Sequence, residues 1–289
     1  MKKHIFEGCA TALITPFSDG EIDYSALDGI IELQIKSGVG ALVIGGTTGE
    51  AATLSDKERY SLFEFTADRV NKRLPLIFGT GTNDTRKAIE HSREAERIGA
   101  DGILVVTPYY NKGTEDGIYR HYTEISDAVD LPLILYNVPS RTGVNLGLSL
   151  LSRLAVCERI VGIKEASDSA ERLTDIAALG ERLPLIAGND SQLLTTLALG
   201  GLGVISVVSN IYPERVCAVY KRFCEGDIEG ARRAQIELLP TIRVLFEETN
   251  PSPVKYAMSL LGLCRDEVRL PLSTPRESTK KRIREIILR

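Results

Sequence analysis

The sequence contains no tryptophan, two methionines, three histidines and five cysteines. The histidines, His4, His91 and His121, stand far apart and without metal-ligand spacing, so no zinc site is expected. The cysteines (Cys9, Cys157, Cys217, Cys224 and Cys264) are scattered, odd in number and form no Cys-x-x-Cys pair. That excludes a disulfide scaffold and suits small buried thiols kept reduced in the cytosol. No apolar run approaches the roughly 18 residues of a membrane helix. After Met1-Lys2-Lys3, Glu7 and Gly8 interrupt any hydrophobic region, so neither a secretory signal nor a membrane partner is expected. A basic excess is also missing: 35 Lys and Arg stand against 39 Asp and Glu, for a net charge of -4. A nucleic-acid partner is therefore not expected. The one positive run, Lys280-Lys281-Arg282-Ile283-Arg284, is interleaved with Glu277, Glu285 and apolar residues, and reads as a solvated helix face.

What is present is ordinary globular material: 289 residues, 43% hydrophobic and 26% charged. That is enough apolar surface for a large core and excludes fibrous and disordered classes. Short runs, most of them rich in Val, Ile and Leu, recur at residues 9–15, 41–44, 75–78, 102–106, 132–136, 160–164, 184–187 and 203–208. None alternates apolar with polar, which points to strands buried on both faces, as in a parallel sheet. Amphipathic segments lie between them, with start signals such as the capping box Ser55-Asp56-Lys57-Glu58 and Asp84. Pro75, Pro132 and Pro184 fall at strand starts, where a missing N–H costs little. Eight strands at a spacing of roughly 30 residues predict an α/β chain of (β/α)8 barrel type. The barrel is expected over residues 1–225, followed by a helical extension over 226–289. A doubly wound sheet would carry Gly-x-Gly-x-x-Gly after its first strand; here Pro16-Phe17-Ser18 follows, and no Gly-Lys-Ser/Thr phosphate loop occurs.

Barrel enzymes do their chemistry where strands end, and these ends are rich in polar groups. Lys164 terminates a run containing Ile160, Val161 and Ile163, so its amine is expected over the barrel mouth, partly desolvated. Desolvation disfavours the ammonium and yields a neutral nucleophile able to form a Schiff base with a ketone. Tyr136 ends the preceding strand; it is either a core tyrosine or a proton carrier near that amine, with Thr47 as a hydroxyl relay. Gly45-Gly46-Thr47-Thr48-Gly49-Glu50 offers N–H and hydroxyl donors for a small carboxylate, or merely a tight turn. Arg141 is either a surface arginine or a planar fork for a carboxylate at the rim. Schiff-base chemistry requires no metal and no cofactor, and none is expected.

Gly46-Thr47-Thr48-Gly49-Glu50, Pro108-Tyr109-Tyr110-Asn111, Tyr136-Asn137-Val138-Pro139-x-Arg141-Thr142 and Gly162-Ile163-Lys164-Glu165 together resemble the 4-hydroxy-tetrahydrodipicolinate (dihydrodipicolinate) synthase family. That family belongs to the pyruvate-dependent Schiff-base aldolases. The likeness continues through Ala187-Gly188-Asn189-Asp190, Gly203-Val204-Ile205-Ser206 and Asn250-Pro251-x-Pro253-Val254-Lys255. The resemblance implies a lyase that condenses pyruvate with aspartate 4-semialdehyde on the diaminopimelate route to lysine. By motif, Lys164 forms the imine, Tyr136 shuttles protons, and Thr47 links it to Tyr110 donated across a tight dimer interface. Thr48 would hold the pyruvate carboxylate, Gly188 and the Ile205 carbonyl would line the pocket, and Arg141 would hold the semialdehyde carboxylate. The family also implies a homotetramer of two tight dimers.

One departure concerns feedback. Lysine-inhibited members bind lysine in a cleft that Asn83 and Tyr109 match here, but positions often histidine are Asp56 and Arg59, and an expected glutamate is Lys87. A cationic Lys87 is expected to repel the ammonium of lysine, leaving inhibition weak or absent. Two competing functions remain: a sister aldolase (N-acetylneuraminate lyase or a 2-keto-3-deoxy-sugar-acid aldolase), which generally lacks an arginine matching Arg141, and a non-catalytic ligand-binding barrel.

Overall fold

The computed structural model describes residues 4–288; Met1-Lys2-Lys3 and Arg289 lie outside the described residues. The strands are β1 Gly8–Ala12, β2 Phe17–Ser18, β3 Glu21–Ile22, β4 Ala41–Ile44, β5 Leu76–Gly79, β6 Gly102–Val106, β7 Leu133–Asn137, β8 Ile160–Glu165, β9 Leu185–Ala187 and β10 Gly203–Ser206. The helices are α1 Tyr24–Lys36, α2 Asp56–Val70, α3 Thr85–Ile98, α4 Glu115–Asp127, α5 Pro139–Thr142, α6 Leu148–Leu154, α7 Ala170–Ala177, α8 Leu193–Ala198, α9 Pro213–Cys224, α10 Ile228–Leu245, α11 Ser252–Leu260 and α12 Glu277–Ile287.

Eight strands pair in parallel and close in the order β1-β10-β9-β8-β7-β6-β5-β4, with a separate β2-β3 hairpin. All eight apolar runs are therefore barrel strands, and nearly every position in them is buried. Inside the barrel sit Ala10, Ala12, Ala41, Val43, Ile77, Leu104, Ile134, Tyr136, Val161, Ile186 and Ile205. Outside it, residues such as Leu42, Ile44, Phe78, Ile103, Val105 and Ile163 pack under the helices. Two apolar layers explain why the strands show no polar alternation.

Strand boundaries depart from the sequence reading for identifiable reasons. β1 stops at Ala12, because the Ile14 N–H leaves the ladder for the Asn210 side chain at 3.1 Å. β10 stops at Ser206, because the Val207 and Val208 N–H groups turn to the Asp190 carboxylate at 3.0 and 3.4 Å. The β2-β3 hairpin was not foreseen. Pro75, Pro132 and Pro184 immediately precede their strands, and each carbonyl accepts an N–H from the neighbouring strand. Proline thus loses its donor where only its acceptor is used. The Ser55 capping box and the Asp84 cap both form.

Helix α9 packs on β1, α10 packs on α9, and α12 packs on α10 and α11. The segment from Asn250 to Leu272 reaches back over the barrel mouth. No helix among the described residues is long and apolar enough to cross a membrane.

Candidate active site

Lys164 lies in β8 opposite Tyr136 of β7 and Ile186 of β9. Tyr136 and Ile186 belong to the barrel interior, so Lys164 shares their face. This phase depends on a local irregularity: Leu133 pairs with Ile160, but Ile134 pairs with Gly162, leaving Val161 unpaired. Without that extra residue, Ile163 would stand opposite Tyr136. A bulge of this kind re-aims every side chain beyond it. The result is a lysine 6% exposed, its Nζ 4.3 Å from the centroid of the Tyr136 ring. Among the described residues that nitrogen has no carboxylate within ion-pair distance and no hydrogen bond, and the buried Asp190 carboxylate feels its charge at longer range; a nearly buried amine with no direct partner is unusual for lysine.

The loop after β4 carries the carboxylate-binding candidates. Gly79 permits its close approach, since a Cβ there would lie 2.3 Å from the Gly45 carbonyl oxygen. The Thr47 carbonyl accepts the Glu50 N–H at 3.1 Å, whereas the N–H groups of Thr47 and Thr48 take no backbone acceptor among the described residues. Glu50 adopts φ +54° and drives its side chain inward, where Oε1 accepts from Lys255 Nζ at 2.6 Å and Oε2 from the Arg269 N–H at 2.9 Å. Both side chains of this ion pair are fully buried. Lys255 Nζ also lies 4.2 Å from the Phe17 ring centroid. Burial pushes the Lys255 amine down from the usual lysine range, and the facing Glu50 carboxylate opposes that shift. The pair anchors the loop to α11.

A cavity of about 520 Å³ opens beside this loop, lined by Thr47, Tyr136, Arg141, Asn250 and Tyr109 among others. Arg141, exposed on the short helix α5, donates from Nη2 to the Asn250 carbonyl at 3.0 Å. Asn250 in turn donates from Nδ2 to Thr48 Oγ1 at 3.0 Å. Asn250 and Lys255, quoted in the sequence only as parts of a motif, are therefore the residues whose importance was missed.

Two buried carboxylates brace the strand ends. Both oxygens of Glu165 accept from Asn137 Nδ2 (3.0 and 2.9 Å), which also donates to Asn145 Oδ1 at 2.8 Å; Glu165 accepts the Ser167 N–H at 2.8 Å as well, and pairs with Arg172. Its position ties the residue after Lys164 to the residue after Tyr136. Asp190 accepts from Ser206 Oγ and from the start of the turn after β10; burial pushes its carboxyl above the usual range, and these hydrogen bonds oppose the shift. Gly188 donates to the Glu165 carbonyl at 2.7 Å, and a Cβ there would collide with Ala166 at 2.6 Å.

The structure thus brings together Lys164, Tyr136, Thr47, Thr48 and Arg141 around one mouth, but not all of them on one wall. Lys164, Thr48, Gly188 and Ile205 do not line the cavity itself; Lys164 Nζ lies against the ring of Tyr136, which does. No hydrogen bond joins Tyr136 to Thr47 among the described residues. Tyr110 stands apart: it is 92% exposed with φ +70° and does not line its own chain's cavity. Tyr109 lines the cavity instead. Among the described residues no cluster of His, Cys, Asp and Glu could hold a metal ion.

The far end of the cavity contains Asp56, Arg59, Lys87 and His91. Lys87 Nζ contacts Asp56 Oδ2 at 2.5 Å and Glu90 Oε2 at 3.0 Å. Lys87 is therefore paired with two carboxylates rather than free at this end of the cavity. The Lys87 contact holds Asp56 below the usual carboxylate range. Arg59, buried, donates to the Gly79 and Ala51 carbonyls. His91 is pushed down to about 4 by burial and by Arg59, so it is neutral at physiological pH.

Residues 5–289 match the dihydrodipicolinate synthetase family. The chain is 45% identical to the 4-hydroxy-tetrahydrodipicolinate synthase of Thermodesulfovibrio yellowstonii over 284 residues, 98% of each chain. It superposes on the dihydrodipicolinate synthase of Thermotoga maritima with a TM-score of 0.96 at 40% identity, covering 99% of this chain and 98% of that one. A pyruvate complex of the chloride-inhibited dihydrodipicolinate synthase from Acinetobacter baumannii is also similar, at a TM-score of 0.95 and 40% identity, covering 98% of each chain.

Proposed function

The chain belongs to the dihydrodipicolinate synthetase family, and from that membership we propose how its own residues condense pyruvate with aspartate 4-semialdehyde. The enzyme is a lyase of lysine and diaminopimelate biosynthesis. The observation that carries the residue assignment is the buried, unpaired Lys164 amine stacked against Tyr136.

In this reading Lys164 attacks the keto carbon of pyruvate and water leaves, giving an imine. The Thr47 and Thr48 N–H groups and the Thr48 hydroxyl receive the pyruvate carboxylate, supported by Gly188 and the Ile205 carbonyl. Loss of a methyl proton makes the enamine, whose terminal carbon attacks the aldehyde carbon of the semialdehyde. Arg141 holds the carboxylate of that second substrate. Its amine then attacks the imine carbon, closes the ring and releases Lys164. Tyr136 carries the protons, relayed by Thr47. Hydroxyl contacts of this sort tighten on substrate binding, so their absence in the free chain is compatible with the role. The exposed Tyr110 suits a phenol supplied to the relay of a second copy, and with it a homotetramer built from two tight dimers. The five free thiols suit a cytosolic enzyme.

Arg141→Ala is expected to raise the KM for aspartate 4-semialdehyde about tenfold to a hundredfold, the range of a charge-assisted hydrogen bond, with pyruvate KM nearly unchanged. The same assay with sugar aldehydes should give negligible turnover; activity on them that survives Arg141→Ala would instead indicate a sister aldolase. Because Lys87 occupies Asp56, lysine should inhibit only at millimolar concentrations or above. A submillimolar inhibition constant would overturn that expectation.

A further inference from the structure

We propose that Asn250 is a positioning residue that aims the Thr48 hydroxyl proton at the pyruvate carboxylate, while its main-chain carbonyl steadies Arg141 for the second substrate. This rests on the reading of Thr48 and Arg141 given above. A threonine hydroxyl has one proton and two lone pairs, and it rotates to suit its partners. Thr48 is 4% exposed, and its oxygen receives the Asn250 amide at 3.0 Å. An amide NH2 can only donate, so the Thr48 oxygen spends a lone pair on it. The Thr48 proton then has no acceptor among the described residues and is left for an anion. Asn250 is itself 5% exposed and lines the cavity. Its other function is backbone: the Asn250 carbonyl accepts from Arg141 Nη2 at 3.0 Å. One residue between α10 and α11 thereby touches both proposed carboxylate sites, one through its side chain and one through its main chain.

That division predicts a split that a loosened loop would not give. Asn250→Asp keeps the shape but turns donor into acceptor, so the Thr48 hydroxyl would donate to residue 250 and present lone pairs to the substrate. Pyruvate KM should rise at least about tenfold, as expected when a hydrogen bond to a charged group is lost. The semialdehyde KM should stay within about twofold, since the carbonyl that steadies Arg141 remains. Asn250→Ala, which removes the donor without adding charge, should show the same split with a smaller pyruvate effect. In a Thr48→Val background, which has no hydroxyl to aim, Asn250→Ala should add nothing further to pyruvate KM, as a double-mutant cycle would reveal.

The decisive experiment is steady-state kinetics for both substrates on these variants. It is paired with borohydride trapping of pyruvate on wild-type enzyme. Parallel rises in the two KM values, or independent effects of Asn250→Ala and Thr48→Val, would overturn the proposal while leaving the enzyme assignment intact. Failure of the wild-type chain to trap pyruvate would instead overturn the assignment on which it rests.

Discussion

Lys164→Ala is expected to reduce turnover to background while leaving the barrel folded. The side chain makes no ion pair or hydrogen bond among the described residues, so its removal breaks no structural network; the loss should fall on chemistry. Lys164→Arg is the sharper control. It retains a positive charge and similar length, but a guanidinium stays protonated and cannot form the imine. If Lys164 served only to attract the pyruvate carboxylate, arginine would restore much of the activity. The account predicts that it restores none, measured as condensation rate at saturating pyruvate and semialdehyde with thermal melting as the check on folding.

The second large effect lies in the Glu50–Lys255 pair. Lys255→Met should destabilise the chain by about 3–5 kcal/mol, the usual consequence of leaving a buried charge without its partner. At roughly 2–4 °C per kcal/mol for a chain somewhat smaller than this, Tm should drop by about 10 °C. Glu50→Gln combined with Lys255→Met removes both charges and should recover a large part of that loss. Activity should recover less than stability, because the Glu50 carboxylate also accepts the Arg269 N–H and fixes the loop bearing Thr47 and Thr48. Melting curves and pyruvate KM on the single and double variants separate the two roles. Equal melting temperatures for Lys255→Met and the parent chain would contradict the assigned burial.

The sequence made the barrel legible because its physics is local. Each strand is a short apolar run buried on both faces, and helix starts such as Ser55 and Asp84 carry their own capping signals. The strand-end positions of Lys164, Tyr136, Thr47, Thr48 and Arg141 were legible because each follows or ends such a run. What was hidden depends on contacts between distant segments. Glu50 and Lys255 are 205 residues apart, and Thr48 and Asn250 are 202 apart, with no pattern in either segment naming its partner. The bulge at Val161 was also hidden, since apolar residues on both sides of the strand leave no phase to read. The strand ends at Ala12 and Ser206 were missed because Asn210 and Asp190 capture the following N–H groups. The pairing of Lys87 with Asp56 was hidden too, because the two lie on different helices.

The most direct test of the central claim is to incubate the protein with pyruvate and sodium borohydride and map the product by peptide mass spectrometry. The account predicts one reduced pyruvate adduct per chain, carried on Lys164 and absent from Lys164→Arg. An unmodified protein, or an adduct located on any other lysine, would contradict it.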